Sequence, residues 1–127
     1  WRMSRLALAA KRFAASAASA DRDALHAFCE RHAKWLADYT LFMAIADIQP
    51  GRSWCDWDVG LALRDPAALR EAGAELAERV AFHAFCQWRF FEQWQRLKLY
   101  ANDRGIRIVG DAPIFIAHQR AEAWSRP

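Results

Sequence analysis

Apolar residues recur every three or four positions through most of this chain, which is the spacing of residues on one face of an α-helix. The helices predicted from this spacing cover about residues 2–17, 22–46, 66–72 and 74–103. Asp21 is expected to cap the second helix, and Asp65 and Pro66 have the residue types of an N-cap and a first-turn proline for the third. The fourth helix carries apolar residues around most of its circumference, so it is expected to be largely buried.

A different pattern follows the fourth helix. Gly105 is expected to end that helix in the left-handed C′ position, and residues 106–111 then read Ile-Arg-Ile-Val-Gly-Asp. These β-branched residues predict a strand that enters a parallel sheet. One strand cannot make a sheet, so its partners are expected to lie outside the chain. The chain starts at Trp1 and stops at Pro127, just past an apparent motif, and both ends are therefore expected to be cut.

The composition is typical of one modest globular domain. The 127 residues are 54% apolar and 26% charged. The seven tryptophans are unusual, and two interpretations remain open: a tryptophan-rich helical core, or flat aromatic faces that stack on sugar rings. The formal net charge is +3, and the basic residues are interspersed with acidic ones, which does not favour a nucleic-acid partner.

No targeting segment, membrane span or metal site is predicted. The apolar run after Arg2 and Arg5 is only five residues long, which is too short for the core of a signal peptide. No apolar stretch reaches the roughly 20 residues that span a bilayer. Cys29, Cys55 and Cys86 are too widely spaced for a zinc-binding pair and are expected to be free, buried thiols in a reducing compartment. We therefore expect a cytoplasmic protein without a metal or other cofactor.

Asp111 is the acid most clearly placed for chemistry, because it ends the predicted strand. Residues at the carboxyl ends of strands in (β/α)8 enzymes point into the active site, but the carboxylate could equally cap the turn after the strand. Glycoside chemistry needs a second carboxylate, about 5–5.5 Å away in retaining enzymes, and nothing places Glu122 opposite Asp111. His118 follows the strand and is a candidate for the same site, whereas His83 is expected to be a core histidine.

Four segments, in order along the chain, carry a resemblance to a known family. Residues 35–42 read Trp-Leu-Ala-Asp-Tyr-Thr-Leu-Phe, Trp54 and Trp57 precede the Leu-Arg-Asp-Pro-Ala of residues 63–67, residues 82–106 contain the long aromatic helix, and residues 110–117 read Gly-Asp-Ala-Pro-Ile-Phe-Ile-Ala. Together they resemble the amylomaltases, the 4-alpha-glucanotransferases of glycoside hydrolase family 77. The resemblance covers nearly the whole chain.

This resemblance implies an α/β fold, with the chain as a mostly helical fragment of a (β/α)8 TIM barrel. Residues 1–73 would form a helical insertion subdomain, and residues 74–127 would supply a barrel helix, the third strand and the active-site loop after it. The implied activity is transfer of α-1,4-glucan segments between maltooligosaccharides by a retaining reaction. The catalytic carboxylates would lie farther along the barrel, so no catalytic residue is expected in this segment. Asp111 carries over as a substrate-positioning residue, and His118 and Trp124 are predicted to contact substrate with it.

The resemblance has one departure, near the end of the chain. Family members usually read Asp-Ser where this sequence has Gln119 and Arg120, which places the local loop conformation and the activity in question. Two other functions remain as alternatives. One is a standalone helical interaction module or an inactive fragment, and the other is a hydrolase built on the same barrel.

Overall fold

The computed structural model describes residues 2–111 and 115–126. Within this part of the chain, the secondary structure consists of seven α-helices and one 3₁₀ turn, Trp54–Asp56. The helices are α1 (Arg2–Ser16), α2 (Ser19–Arg31), α3 (Ala33–Ile48), α4 (Val59–Ala62), α5 (Pro66–Glu75), α6 (Ala77–Asn102) and α7 (Ala121–Ser125). The described fold is therefore mostly helical, as predicted.

The single helix predicted over residues 22–46 is wrong, because two helices occupy this stretch. Helix α2 ends at Arg31, and His32 leaves helical geometry with φ −106° and ψ 11° before α3 begins. The ring of His32 packs against Phe28 and Phe91, with centroid distances of 4.5 and 5.3 Å. These tertiary contacts accompany a break that the apolar spacing does not reveal.

The predicted cap of that helix is also wrong. Ala18 takes the N-cap position of α2, and no side chain caps the helix. Asp21 lies instead in the first turn. A carboxylate there still faces the positive end of the helix dipole, so the residue type suits the helix start without serving as its cap.

The start of α5 and the end of α6 were predicted correctly. The Oδ1 atom of Asp65 accepts hydrogen bonds from the backbone N–H groups of Ala67 and Ala68, at 2.9 and 3.0 Å, and Pro66 is the first residue of the helix. Beyond α6, Gly105 has φ +71°. Its N–H bonds to the carbonyl of Asn102, and the next N–H bonds to the carbonyl of Ala101, which are the two hydrogen bonds of a Schellman motif.

The strand predicted over residues 106–111 is absent from the described residues, and this prediction needs correction. Residues 106–111 are extended or irregular, and Val109 is 91% exposed. A strand is defined by hydrogen bonds to a neighbouring strand, and no neighbour lies within residues 2–111 or 115–126. Residues 112–114 of the Gly-Asp-x-Pro-Ile-Phe signature lie outside the described residues.

Two hydrophobic clusters form the core. The first, which we call the Trp124 core, joins α3, α5 and α7 and contains Phe42, Ala44, Ile45, Trp57, Ala72, Leu76, Ala121 and Trp124. The second, the Trp88 core, joins α2, α3 and α6 and contains Phe28, Leu36, Phe85 and Trp88. Tyr39 packs against both clusters, and its hydroxyl accepts a hydrogen bond from Gln87 at 2.9 Å. Since the Trp124 core takes residues from both sides of position 73, the division of the chain there stays a prediction.

Most of the second half of α6 is exposed, contrary to the expectation that the helix is largely buried. His83, Phe85 and Trp88 lie in its covered first half, but Phe90 and Leu97 are more than half exposed. Helices α1, α2 and α3 pack against α6. In its second half the described residues bury Ala101 and contact Phe91, but they leave most of the apolar side chains exposed. Apolar residues around the whole helix therefore indicate burial only where a neighbouring element is present.

The core interpretation of the tryptophans holds for three of them. Trp57, Trp88 and Trp124 are buried, whereas Trp35 and Trp94 are exposed and Trp54 is partly buried. His83 is 4% exposed and its Nε2 atom lies 2.8 Å from Oδ2 of Asp47, which confirms its assignment to the core. In the part of the chain that the structure describes, no helix is long and apolar enough to cross a membrane.

Candidate functional site

The candidate site lies on the connection between α6 and α7. Asp111 is exposed, and its carboxylate forms no hydrogen bond or ion pair with residues 2–111 or 115–126. The turn after Asp111 begins with residues 112–114, which lie outside the described residues, so the turn-capping role stays an alternative. An exposed carboxylate can accept hydrogen bonds from ligand hydroxyls.

His118 is fixed to the segment that precedes α4. Its ring stacks on that of Trp54, with centroids 5.1 Å apart and planes inclined by 19°. The Nε1–H of Trp54 donates a hydrogen bond of 2.6 Å to the backbone carbonyl of His118. His118 remains exposed in this arrangement. The connection is therefore held by both its backbone and its side chain a few residues after Asp111.

Trp124 is placed differently from the other two predicted site residues, because it is fully buried. Its ring packs against Phe42 and Trp57, at centroid distances of 5.7 and 5.9 Å. Its Nε1–H donates a 2.9 Å hydrogen bond to the carbonyl of Leu61, and the guanidinium carbon of Arg64 lies 4.3 Å from its centroid. The structure thus puts Asp111 and His118 on one exposed connection and Trp124 in the core at the end of that connection.

The residues around Trp124 were not identified from the sequence as parts of the site. Trp54 and Trp57 gave one usable signal, since two tryptophans in a loop need a surface to pack against. Arg64 gave none, because its role depends on a backbone φ of +59° that the residue type does not suggest. The segment from Trp54 to Arg64 therefore supports His118 and the ring of Trp124.

The two residues that depart from the family pattern lie just before α7. Arg120 takes the N-cap position of α7 with φ −114° and ψ 157°, and no side chain caps the helix. A serine at that position could accept a hydrogen bond from a backbone N–H group of the first turn, but a guanidinium has no acceptor. The structure accommodates Arg120 as an exposed residue while Trp124 keeps its buried position.

The cysteines are free thiols, as predicted, but the predicted burial is wrong for Cys55, which is exposed, and only partial for Cys29 and Cys86. Burial raises the pKa of the Cys29 and Cys86 thiols, which disfavours the reactive thiolate. Cys55 is exposed beside Trp54. Within residues 2–111 and 115–126, no three His, Cys, Asp or Glu side chains are close enough to hold a metal ion.

Comparisons with known proteins relate this chain to the 4-alpha-glucanotransferases. The family model described as 4-alpha-glucanotransferase matches residues 1–127. The 4-alpha-glucanotransferase of Thermus thermophilus is 49% identical over 127 residues, which are 100% of this chain and 25% of that protein. The 4-alpha-glucanotransferase of Synechocystis is 47% identical over 100 residues, which are 79% of this chain and 20% of that protein.

A solved structure agrees with these relatives. The amylomaltase from Streptococcus agalactiae in complex with acarbose matches with a TM-score of 0.91 and 33% identity, over 99% of this chain and 25% of that one. The chain thus spans about a quarter of the length of the relatives that it matches. From the family match over its full length and from these relatives, we conclude that the chain belongs to the 4-alpha-glucanotransferase family.

Proposed function

We propose that the protein containing this chain is a 4-alpha-glucanotransferase that transfers α-1,4-glucan segments between maltooligosaccharides with retention of configuration. A retaining reaction uses a carboxylate nucleophile and a carboxylic acid on either side of the scissile bond. These residues would lie outside the 127 residues, which contribute to substrate positioning and not to bond cleavage. The observation that carries the proposal is the exposed carboxylate of Asp111, which is unpaired among the described residues. It lies in a chain that the family model matches over residues 1–127.

In this proposal Asp111 accepts hydrogen bonds from sugar hydroxyls and holds one ring of the donor in place. Bonds from hydroxyls to an ionised carboxylate are about twice as strong as neutral ones. His118 would offer a second polar contact beside it. Trp124 would act from the core, by fixing the end of the connection that carries both residues.

The fold proposed for the complete protein is a (β/α)8 barrel. Residues 106–111 would pair there with neighbouring strands as the third barrel strand, and residues 1–73 would form the helical insertion. The exposed half of α6 supports this arrangement, since a barrel helix needs an apolar surface against the sheet. A cytoplasmic enzyme without a metal or other cofactor is part of the same proposal.

The test is product analysis on the complete protein encoded by the reading frame that contains these residues. Incubation with maltotriose should yield glucose together with oligosaccharides longer than the substrate. Glucose and maltose without longer products would indicate a hydrolase. A folded protein that forms no products would contradict the proposal.

The role of Asp111 needs a matched pair of variants. Asp111→Asn keeps the size of the side chain but removes its charge, and it should lower kcat/KM by about 10- to 100-fold through the loss of charged hydrogen bonds. Glu122→Gln is the control, because Glu122 is an exposed acid on the same segment whose side chain bonds to no described residue. Equal activity of the two variants would remove Asp111 from the site.

A further inference from the structure

Arg64 has a backbone conformation that arginine rarely adopts. Its φ is +59°, and it is the one described residue other than glycine with a positive φ. Arg64 terminates α4: its N–H bonds to the carbonyl of Leu61 at 3.3 Å, and the N–H of Asp65 bonds to the carbonyl of Gly60 at 2.7 Å. This is the same Schellman motif that ends α6, where glycine occupies the equivalent position.

Glycine is the usual residue at this left-handed position, so the contacts of the arginine side chain must stabilise the conformation of Arg64. A left-handed conformation is unfavourable for a residue with a Cβ atom, and it persists where surrounding contacts determine it. Arg64 makes two such contacts. Its Nη2 atom donates a 2.7 Å hydrogen bond to Oδ1 of Asp38 in α3, and its guanidinium lies over the ring of Trp124 in α7.

These contacts make Arg64 the link between three parts of the fold. Asp38 orients the guanidinium from α3, the turn after α4 supplies the backbone, and Trp124 receives the planar cation on its face. A cation within about 6 Å of an indole centroid is attracted by the ring quadrupole, and the attraction is stronger where water is excluded. Trp124 is fully buried and the Arg64 side chain is 22% exposed, so this contact is largely shielded from water.

The same short segment holds the connection at two points. Trp54 binds the backbone and ring of His118, while Leu61 and Arg64 bind the ring of Trp124. Asp111 precedes the first of these points by seven residues, of which 112–114 lie outside the described part of the chain. A movement of α7 would therefore shift the His118 end of the connection, which the proposed function assigns to the sugar.

We propose that Arg64 is a positioning residue: by clamping Trp124 from the end of α4, it fixes α7 and with it the connection that carries Asp111 and His118. The part of this inference that concerns the sugar rests on the proposed function. The clamp itself is a property of the fold and can be measured without substrate.

The first experiment is hydrogen exchange by mass spectrometry on the complete protein. Arg64→Gly and Arg64→Asn remove the guanidinium but suit the left-handed turn, so the backbone of α4 should be preserved. Peptides covering residues 115–126 should exchange at least about fivefold faster in both variants, which corresponds to the loss of one partly shielded cation–π contact. Leu63→Ala is the control, because Leu63 is the adjacent residue and is 77% exposed. Unchanged exchange in residues 115–126, or an equal increase in all helices, would overturn the clamp.

Two further variants separate charge from shape. Asp38→Asn removes the ion pair but leaves the guanidinium over the ring, and it should produce a smaller increase in exchange than Arg64→Gly. Arg64→Lys keeps the charge but loses the planar group that covers the indole, so it should rescue exchange only in part. Full rescue by lysine would show that charge alone is sufficient and would overturn the ring contact as the cause.

Kinetics on maltotriose then tests the effect on the site. Arg64→Gly should lower kcat/KM, and the decrease should be smaller in an Asp111→Asn background, because both changes act through one connection. Independent, fully additive decreases would contradict action through Asp111. If the unmodified protein has no transferase activity, the proposed function fails, whereas the hydrogen-exchange result still decides whether the clamp exists.

Discussion

Gly60 offers the sharpest test of how α4 packs against α5, because a single added methyl group should disturb this contact. A Cβ atom at Gly60 would lie 2.9 Å from the Cβ of Ala68 in α5 and 3.3 Å from Oδ1 of Asp58. The first distance is shorter than real Cβ contacts allow, and neither Cβ atom can rotate away. The second atom belongs to the N-cap of α4, which accepts the N–H of Gly60 at 2.9 Å.

The expected magnitude follows from two opposing effects. Overpacking a close contact costs about 1–3 kcal/mol. Replacing glycine by alanine inside a helix gains about 0.5–1 kcal/mol from the smaller entropy of the unfolded chain. Gly60→Ala should therefore lower the free energy of unfolding by about 1 kcal/mol, which is the difference between the midpoints of these two ranges. Since Leu61 and Arg64 follow directly, the shift of α4 should also loosen the contacts to Trp124.

Gly73→Ala supplies the matched control. Gly73 lies inside α5, and a Cβ atom there would meet nothing within 4 Å. This variant should raise the free energy of unfolding by about 0.5–1 kcal/mol. Urea denaturation followed by far-UV circular dichroism measures both variants under the same conditions. A Gly60→Ala protein as stable as the Gly73→Ala protein would refute the argument that α4 and α5 touch at this glycine.

Three further results are expected. Asp47→Ala removes the partner of the buried histidine in α6, and the unfolding free energy should fall by about 1–3 kcal/mol because a buried polar group loses its hydrogen bond; a urea midpoint that does not move would contradict this. Arg120→Ser supplies the missing cap of α7 and should raise stability by about 0.5–1 kcal/mol, with slower amide exchange in that helix. Cys55 should react with a thiol reagent at pH 8 faster than Cys29 and Cys86, because burial raises the pKa of the latter two and leaves less thiolate at that pH; equal rates would show that the two sites open readily.

The parts of the fold that the sequence revealed are those decided within a few residues. Asp65 and Pro66 start a helix because the carboxylate reaches N–H groups two and three positions away. Gly105 ends α6 because a left-handed residue is needed at one position and glycine accepts it without strain. Neither inference depends on what packs against the helix.

The parts that were missed depend on distant contacts. The break at His32 coincides with packing against Phe91 of α6, and no proline or glycine marks it. The strand at residues 106–111 needs neighbouring strands that are absent from the described residues. The burial of α6 likewise depends on which elements cover it.

The candidate site shows the same division. The exposed acid after α6 could be located from the order of helix, glycine and apolar segment. The burial of Trp124 could not, because an aromatic residue near a predicted site has the same appearance whether it faces a ligand or the core. The left-handed Arg64 that covers it had no signal in the residue type at all.

The hydrogen bonds of Trp54 and Trp124 join residues that are far apart in the sequence, and this separation has a consequence for the order of folding. Trp54 bonds to a carbonyl 64 positions later, and the indole of Trp124 bonds to a carbonyl 63 positions earlier. During synthesis, the surfaces of Phe42 and Trp57 that Trp124 covers remain uncovered by it until α6, the connection and α7 have left the ribosome. Because such non-local contacts form only after the intervening chain is ordered, the segment that presents Asp111 should be among the last of the described segments to become structured. Until then, these aromatic faces are open to association with other chains, so α7 both completes the Trp124 core and removes a surface through which the nascent protein could aggregate.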